Sequence, residues 1–316
     1  MTEILTDWPE NLSERMWLTI GNFDGMHLGH QALMARVQET ARANGAKSGL
    51  ITFWPHPRVY LQKITTQYYL TTLDEKMKLL VDSGMDYVIS LPFTHRLAGQ
   101  SAGEFFADLT SHLNLAGLIV GQNFTLGKNR AGTQNVIRDL CDQYGIQLDL
   151  IESFCLDGSP VSSGRVRDAL ELGDVQTARQ LLGRPYSVSG KVVEGKHLGS
   201  KLGFPTANQV VNPQKILPKY GVYASLVRVN GDKFMGVTSV GVRPTFETTN
   251  QPNVETLLLD FNGNIYHESL TVDFIQYIRD EIKFANVADL IAQIDLDKLQ
   301  ARRMLADESF SKSLPA

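Results

Sequence analysis

Between Leu18 and His30 the chain reads LTIGNFDGMHLGH, which sets Gly21, Gly25, Gly29, Asp24, His27 and His30 directly after an apolar run. Glycines between a strand and a helix let backbone approach a ligand and leave N–H groups pointing at it. The helix start adds partial positive charge. His27 and His30, three apart, share one face of the first turn. Two imidazoles above free N–H groups suit a phosphate that gains negative charge as it reacts. Other uses of the same residues exist. His-x-x-His is a metal pair short of further ligands, either histidine alone serves as a structural residue, and a glycine-rich turn also makes a plain tight connection. The spacing is neither a Rossmann nor a Walker A pattern.

The elements that hold this stretch alternate. Short apolar runs MWLTI, SGLITFW, DYVISL, LAGLIV and IQLDLI have the character of parallel strands buried on both faces. Helices lie between them. Thr72 with Glu75 and Ser101 with Glu104 each fit a capping box, and Gly45, Gly84 and Gly145 fall where helix ends are expected. Five strand–helix alternations predict a doubly wound parallel sheet, which binds ligands at the carboxyl ends of its strands. From Arg184 the rhythm changes to strand-like runs around Asn230-Gly231 and again around Asn262-Gly263, a dipeptide suited to type I′ hairpin turns. That half predicts a small antiparallel barrel. A helix follows from about Asn286, with Val287, Leu290, Ile291 and Ile294 on one face and Asn286 and Asp289 placed to cap it. The fold class is α/β plus β, divided at 1–183 and 184–316 near LLGRPYS.

The bulk properties narrow the class. With 316 residues, 43% hydrophobic and 20% charged, the chain has the length for two domains and a globular composition. Net charge −4, from 30 basic and 34 acidic residues, argues against a nucleic-acid-binding face. The acidic start lacks the apolar region of a signal peptide, and no apolar run approaches the ~18 residues of a membrane helix. Two cysteines, Cys141 and Cys155, are too few for a disulfide framework. A cytoplasmic protein is expected, with no membrane partner, as a monomer or weak homo-oligomer. Gly190-Lys-Val-Val-Glu-Gly195-Lys196 nearly spells a Walker A loop, but His197 stands in place of Ser/Thr and Val192 and Val193 make its interior strand-like.

Gly21-x-Phe23-Asp24-Gly25-x-His27-x-Gly29-His30 resembles the signature of the bacterial bifunctional riboflavin kinase/FMN adenylyltransferases, the FAD synthetases. TFWPHPR, LTTLDEKMKLL, GQNFTLGKNRAG, VSSGRVRDALELGD, GKHLGSKLGFPTAN, YGVYAS, VGVRPTFE, VETLLLDF and IRDEIKF continue the resemblance in order over roughly residues 15–305. It implies a Rossmann-like nucleotidylyltransferase half that transfers AMP from ATP to FMN, and a barrel half that phosphorylates riboflavin. On the first half, Gly21, Phe23, Asp24 and Gly25 fall at ATP-binding positions, and His27 and His30 match the ATP-phosphate histidines. Ser162, Ser163 and Arg167 match the element that closes on the triphosphate, while Asn123, Pro55 and Pro57 match flavin-binding positions.

FMN presents an already ionised phosphate, so adenylyl transfer asks for charge neutralisation and alignment. Riboflavin presents an alcohol, whose proton must leave as it attacks. Glu255, on a strand with alternate residues facing one side, matches the family's base. Thr206 and Asn208 of PTAN are neutral oxygen donors of the kind Mg²⁺ accepts beside nucleotide phosphates. Gly195, Gly199, Gly203 and Pro205 suit a flap over ATP. Riboflavin, FMN, FAD and ATP are the implied small-molecule partners. The sequence departs from the family at Gly164 (usually Thr), Ser239 (often Asn), Leu257 (often His) and His267 (often Gly). Three rivals follow: an FMN adenylyltransferase alone with a flavin-binding regulatory second half, a non-catalytic flavin or nucleotide sensor, and a transferase acting on another phosphate acceptor.

Overall fold

The computed structural model describes residues 2–195, 203–242 and 252–306. It forms two compact units, Met1–Thr65 with Thr71–Ser163, and Thr66–Leu70 with Gly164–Ala316.

The first unit is built on six parallel strands: β1 (Glu3–Leu5), β2 (Leu12–Ile20), β3 (Lys47–Trp54), β4 (Tyr87–Pro92), β5 (Leu113–Gly121) and β6 (Gln147–Ile151), in spatial order β1-β4-β3-β2-β5-β6. The five apolar runs are β2 to β6. β1 pairs at the edge beside β4, and three residues are too few to carry a readable pattern. Alternate residues divide between two cores. Met16, Leu18, Ile20, Ile51, Ile89, Leu118 and Val120 meet Phe105, Phe106 and Leu109 of α5 (Ala102–His112) and Ile137 of α6 (Gln134–Tyr144). Trp17, Leu50, Val88 and Ile119 meet Leu33, Met34 and Val37 of α1 (Leu28–Ala43) and Leu80 of α3 (Leu73–Asp82). Burial on both faces is why these strands lack polar alternation. Shorter helices α2 (Pro57–Gln62) and α4 (His95–Gly99) follow β3 and β4.

Both capping boxes form in full, Thr72 with Glu75 and Ser101 with Glu104, and Gly45, Gly84 and Gly145 take positive φ. The chain runs outward from β2 through β3 to β4 and then returns to β5. That makes the gap between β2 and β5 the topological switch, where ligands of such sheets bind. A two-stranded ribbon of β7 (Cys155–Leu156) and β8 (Ser159–Pro160) precedes α7 (Ser163–Glu171) and α8 (Val175–Leu182).

The second unit contains a closed antiparallel barrel of β9 (Tyr186–Val193), β10 (Thr206–Val211), β11 (Gly221–Val229), β12 (Asp232–Val242), β13 (Pro252–Leu258) and β14 (Ser269–Arg279), ordered β10-β13-β12-β11-β14-β9. Asn230 and Gly231, φ 52 and 86, make the tight hairpin between β11 and β12. Asn262-Gly263 does not repeat that device. β13 pairs with β10 and β12, and β14 with β11 and β9, so the segment after β13 connects strands that are not neighbours. A two-residue turn cannot make such a link. Val192 and Val193 belong to β9, as their strand-like character suggested for the near-Walker segment. The last helix, α9 (Val287–Leu305), is capped by Asn286, whose side chain accepts from the Asp289 N–H. Its buried stripe is Asp297, Ala301 and Leu305, and Val287 is 54% exposed. The contact face therefore begins a turn later than the apolar pattern suggested.

Candidate active sites

In the first unit the strand ends meet at a cavity of about 780 Å³. Gly21 and Asn22 after β2, Phe53 at the end of β3, Phe93 after β4 and Asn123 after β5 all line it, with His56, Pro57 and Arg58 at the start of α2 and Lys128 and Arg130 beyond β5. Its wall is aromatic: Phe53 and Phe93 meet edge to face at 5.9 Å, and Phe105 and Phe124 join them. Gly21 is required by Phe23, whose ring lies 2.9 Å from where a Cβ would stand. Pro55 is not among the lining residues, and neither histidine of the turn is.

The histidines form their own arrangement at the start of α1. His27 is the N-cap, and its Nδ1 accepts from the His30 N–H at 3.3 Å. In the neutral ring this leaves the proton on Nε2. The two imidazoles stack with centroids 3.6 Å apart, and the Phe23 ring meets His30 edge-on at 5.2 Å. Among the described residues His30 Nδ1 is buried without a hydrogen-bond partner, a polar atom left for a ligand or water to satisfy. Burial, then the charges of His27 and Lys76, hold the His30 imidazole well below its ordinary pKa. The His30 imidazole is therefore uncharged at neutral pH until an anion arrives.

Beneath the turn, Asp24 accepts from both the N–H and the hydroxyl of Thr71 at 3.1 Å, and Thr71 Oγ1 in turn accepts from the Gly25 N–H. Ser163 Oγ donates to the Asp24 carbonyl at 2.8 Å. Phe23 and Asp24 are buried, so any contact they make with a ligand runs through the backbone of the turn. Arg167 Nε donates to the Tyr68 carbonyl, and its guanidinium lies over the Tyr68 ring.

The barrel site is made by strand register. Glu255 on β13 lies opposite Asn208 on β10 and Ser239 on β12, and Thr206 lies opposite Leu257. Directly opposed residues share a face. Glu255, Thr206, Ser239 and Leu257 line a cavity of about 320 Å³, together with Leu290 and Ile294 of α9. Asn253 Nδ2 donates to Glu255 Oε1 at 2.6 Å. The Asn208 amide occupies the space beside Gly195, 2.4 Å from where a Cβ would stand, and Gly203 has φ +85. Pro205 leads directly into β10, while Gly199 lies outside the described residues. Arg279 and Asp297, which also line this cavity, went unread in the sequence as site residues. Arg279 at the end of β14 grips Asp297 of α9 through Nε at 2.9 Å and Nη2 at 2.7 Å, and Gln293 also donates to Asp297. Only the pairing of a strand end with a helix 18 residues on reveals them.

Two family models match the chain, FAD synthetase over residues 10–165 and riboflavin kinase over residues 182–305. The bifunctional riboflavin kinase/FMN adenylyltransferase of Escherichia coli K12 is 38% identical over 301 residues, 95% of this chain and 94% of the relative. That of Listeria monocytogenes is 33% identical over 290 residues, 92% of each. The chain belongs to the bifunctional riboflavin kinase/FMN adenylyltransferase family. A crystal structure described as a macrolide-efflux protein from Streptococcus pneumoniae superposes with a TM-score of 0.85 at 28% identity, over 95% of this chain and 98% of that one. Among the described residues of this chain, no helix is long and apolar enough to cross a membrane. The FAD synthetase match contains the histidine turn, Asn123, Ser162 and Ser163 and stops before Arg167. The riboflavin kinase match contains Thr206, Asn208, Glu255 and all of α9.

Proposed function

We propose that the family's two activities are divided along the chain, with adenylylation of FMN in residues 1–183 and phosphorylation of riboflavin in residues 184–316. Both use ATP with a divalent metal, which we take to be Mg²⁺.

In the first half the nucleophile is the FMN phosphate, whose second pKa of about 6 leaves it mostly ionised at neutral pH. It attacks the ATP α-phosphorus and pyrophosphate leaves, so alignment and charge neutralisation carry the reaction. His27 Nε2–H and the imidazole of His30 donate to the triphosphate at the start of α1, and the anion in turn raises their proton affinity. Ser162, Ser163 and Arg167 serve the same triphosphate. The aromatic cavity takes the flavin ring, with Asn123 and Pro57 in its wall. The stacked pair, with its unpartnered His30 Nδ1, is the observation that carries this assignment.

In the barrel, Glu255 takes the proton of riboflavin's terminal hydroxyl as that oxygen attacks the γ-phosphorus of ATP and ADP leaves. The facing of Glu255 and Asn208 across β13 and β10 carries this reading. Thr206 and Asn208 offer oxygen atoms without charge, which fits a metal that keeps water and phosphate oxygens as its other ligands. When bound, that ion neutralises charge on the phosphates. Leu290 and Ile294 give the cavity an apolar wall for the flavin. We assign the chain to the cytoplasm, as a monomer or weak homo-oligomer without a nucleic-acid partner.

The test is a chromatogram of flavins after incubation with riboflavin, ATP and Mg²⁺. FMN should form first and FAD second. His30→Ala should stop FAD formation and spare FMN formation, and Glu255→Gln should do the reverse. A folded variant of either kind that loses both activities would refute the division.

A further inference from the structure

We propose that Lys76 is a positioning residue for adenylyl transfer, holding one buried positive charge beneath the glycine-rich turn where the triphosphate binds. The proposal rests on the assignment of adenylyl transfer to that turn.

Lys76 lies one turn into α3, whose start is bolted under the glycine-rich turn by the Thr71–Asp24 hydrogen bonds and fixed by the Thr72–Glu75 capping box. Its side chain points inward and is 3% exposed. Nζ donates to the Phe53 carbonyl at 3.2 Å, on the residue whose ring walls the larger cavity. An ammonium has three donors, yet among the described residues no other hydrogen bond and no carboxylate within 4.0 Å pairs with this one. A buried charge left unpaired is expensive, and an apolar side chain of similar length would fill the same space at lower cost.

What that charge reaches is the phosphate site. Asp24 of the turn and His30 of α1 both feel it, with His27 stacked on His30. The Asp24 carboxylate is already held by Thr71, and Glu75 on Lys76's own helix is held in the capping box. With the His30 imidazole uncharged, Lys76 is a fixed, enclosed cation that meets an incoming polyanion from beneath the turn. Enclosure keeps it from being screened, and it needs no reorganisation as the reaction proceeds. Burial brings its pKa down to about 8, so the charge is present at neutral pH and leaves on the alkaline side.

The experiment measures kcat/KM for ATP in FMN adenylylation from acid to alkaline pH, in the full chain and in Lys76→Met, Lys76→Arg and His30→Ala. Riboflavin phosphorylation by each protein reports folding. The unaltered chain should lose adenylylation on a limb near pH 8. Lys76→Met should raise KM for ATP, lower kcat/KM at neutral pH by about tenfold and show no such limb. Lys76→Arg, charged throughout, should keep activity without the limb. A level profile in the unaltered chain through pH 9.5, or unaltered kcat/KM in Lys76→Met at neutral pH, overturns the proposal. If a lysine variant also loses kinase activity, the profile of the unaltered chain decides alone. FAD formation intact in His30→Ala would instead refute the site assignment beneath it.

Discussion

The Arg279–Asp297 pair joins the end of β14 to α9, and its removal one partner at a time should unfold the barrel far more easily than removal of both. Side-chain exposure is 19% for Arg279 and 4% for Asp297, so solvent screens the pair little. Nε and Nη2 engage both carboxylate oxygens, and Gln293 supplies a further donor. Arg279→Met leaves a buried carboxylate with one amide partner, a loss of about 3–5 kcal/mol. Asp297→Leu strands the guanidinium instead, with a somewhat smaller loss because Arg279 is closer to solvent. The double variant buries two apolar side chains and should recover to within roughly 1–2 kcal/mol of the original, a coupling of about 3 kcal/mol or more. At about 3 °C per kcal/mol for a unit of this size, each single variant should lower the barrel's Tm by roughly 10 °C. Calorimetry gives the barrel transition. Trp8, Trp17 and Trp54 all lie in the first unit, so tryptophan fluorescence follows that unit as an internal control and should not shift. Leu290 and Ile294 ride on α9, so the single variants should also weaken riboflavin phosphorylation. Additive losses in the double variant, or a loss below about 1 kcal/mol for Arg279→Met, would refute the reasoning.

Two more outcomes are expected. Lys76 has a folded pKa of about 8 against 10.5 when solvated, so the unfolded chain binds more protons between those values and stability rises with pH across that window, by up to about 3 kcal/mol. Lys76→Met should abolish that rise and be the more stable protein at pH 7; equal urea midpoints by tryptophan fluorescence at pH 7, or an unaltered rise in the variant, would show that burial of the charge is not costly. At His267, φ is 70, a left-handed conformation that glycine adopts without penalty and histidine does not. His267→Gly should raise the calorimetric stability of the barrel by about 0.5–1 kcal/mol, and a lower Tm would mean that the imidazole makes a compensating contact.

His267 also shows how a family departure becomes physical only in three dimensions, and the same contrast runs through the molecule. What was legible in the sequence is what neighbouring residues decide. The strand runs are apolar throughout because both sheet faces are covered, and the capping boxes need only residues three apart. The Asn230-Gly231 hairpin closes on itself. Asn262-Gly263 has the same composition, yet strand pairing far along the chain decides its path, and no local preference overrides that. Lys76 hid for a related reason. In LDEKMKLL it resembles any polar residue on the outer face of a helix, and only the carbonyl of Phe53, 23 positions earlier, shows that it points inward.

The two active sites divide along this same line. The histidine turn is a local object: a strand end, a glycine-rich turn and the N-cap of α1 place His27 and His30 within four residues of each other, and their stacking is set by this local cap geometry. The site proposed for the kinase is a register. Glu255, the base proposed above, stands opposite Asn208 only in the one alignment of β13 with β10. Slipping that pairing by one residue would turn Glu255 and Leu257 to the other face together. Val254 and Thr256, which are buried, would then have to exchange places with them. The packing of the barrel interior therefore enforces the register that the chemistry needs, and mutations inside the barrel far from any substrate should disturb riboflavin phosphorylation before they disturb FMN adenylylation.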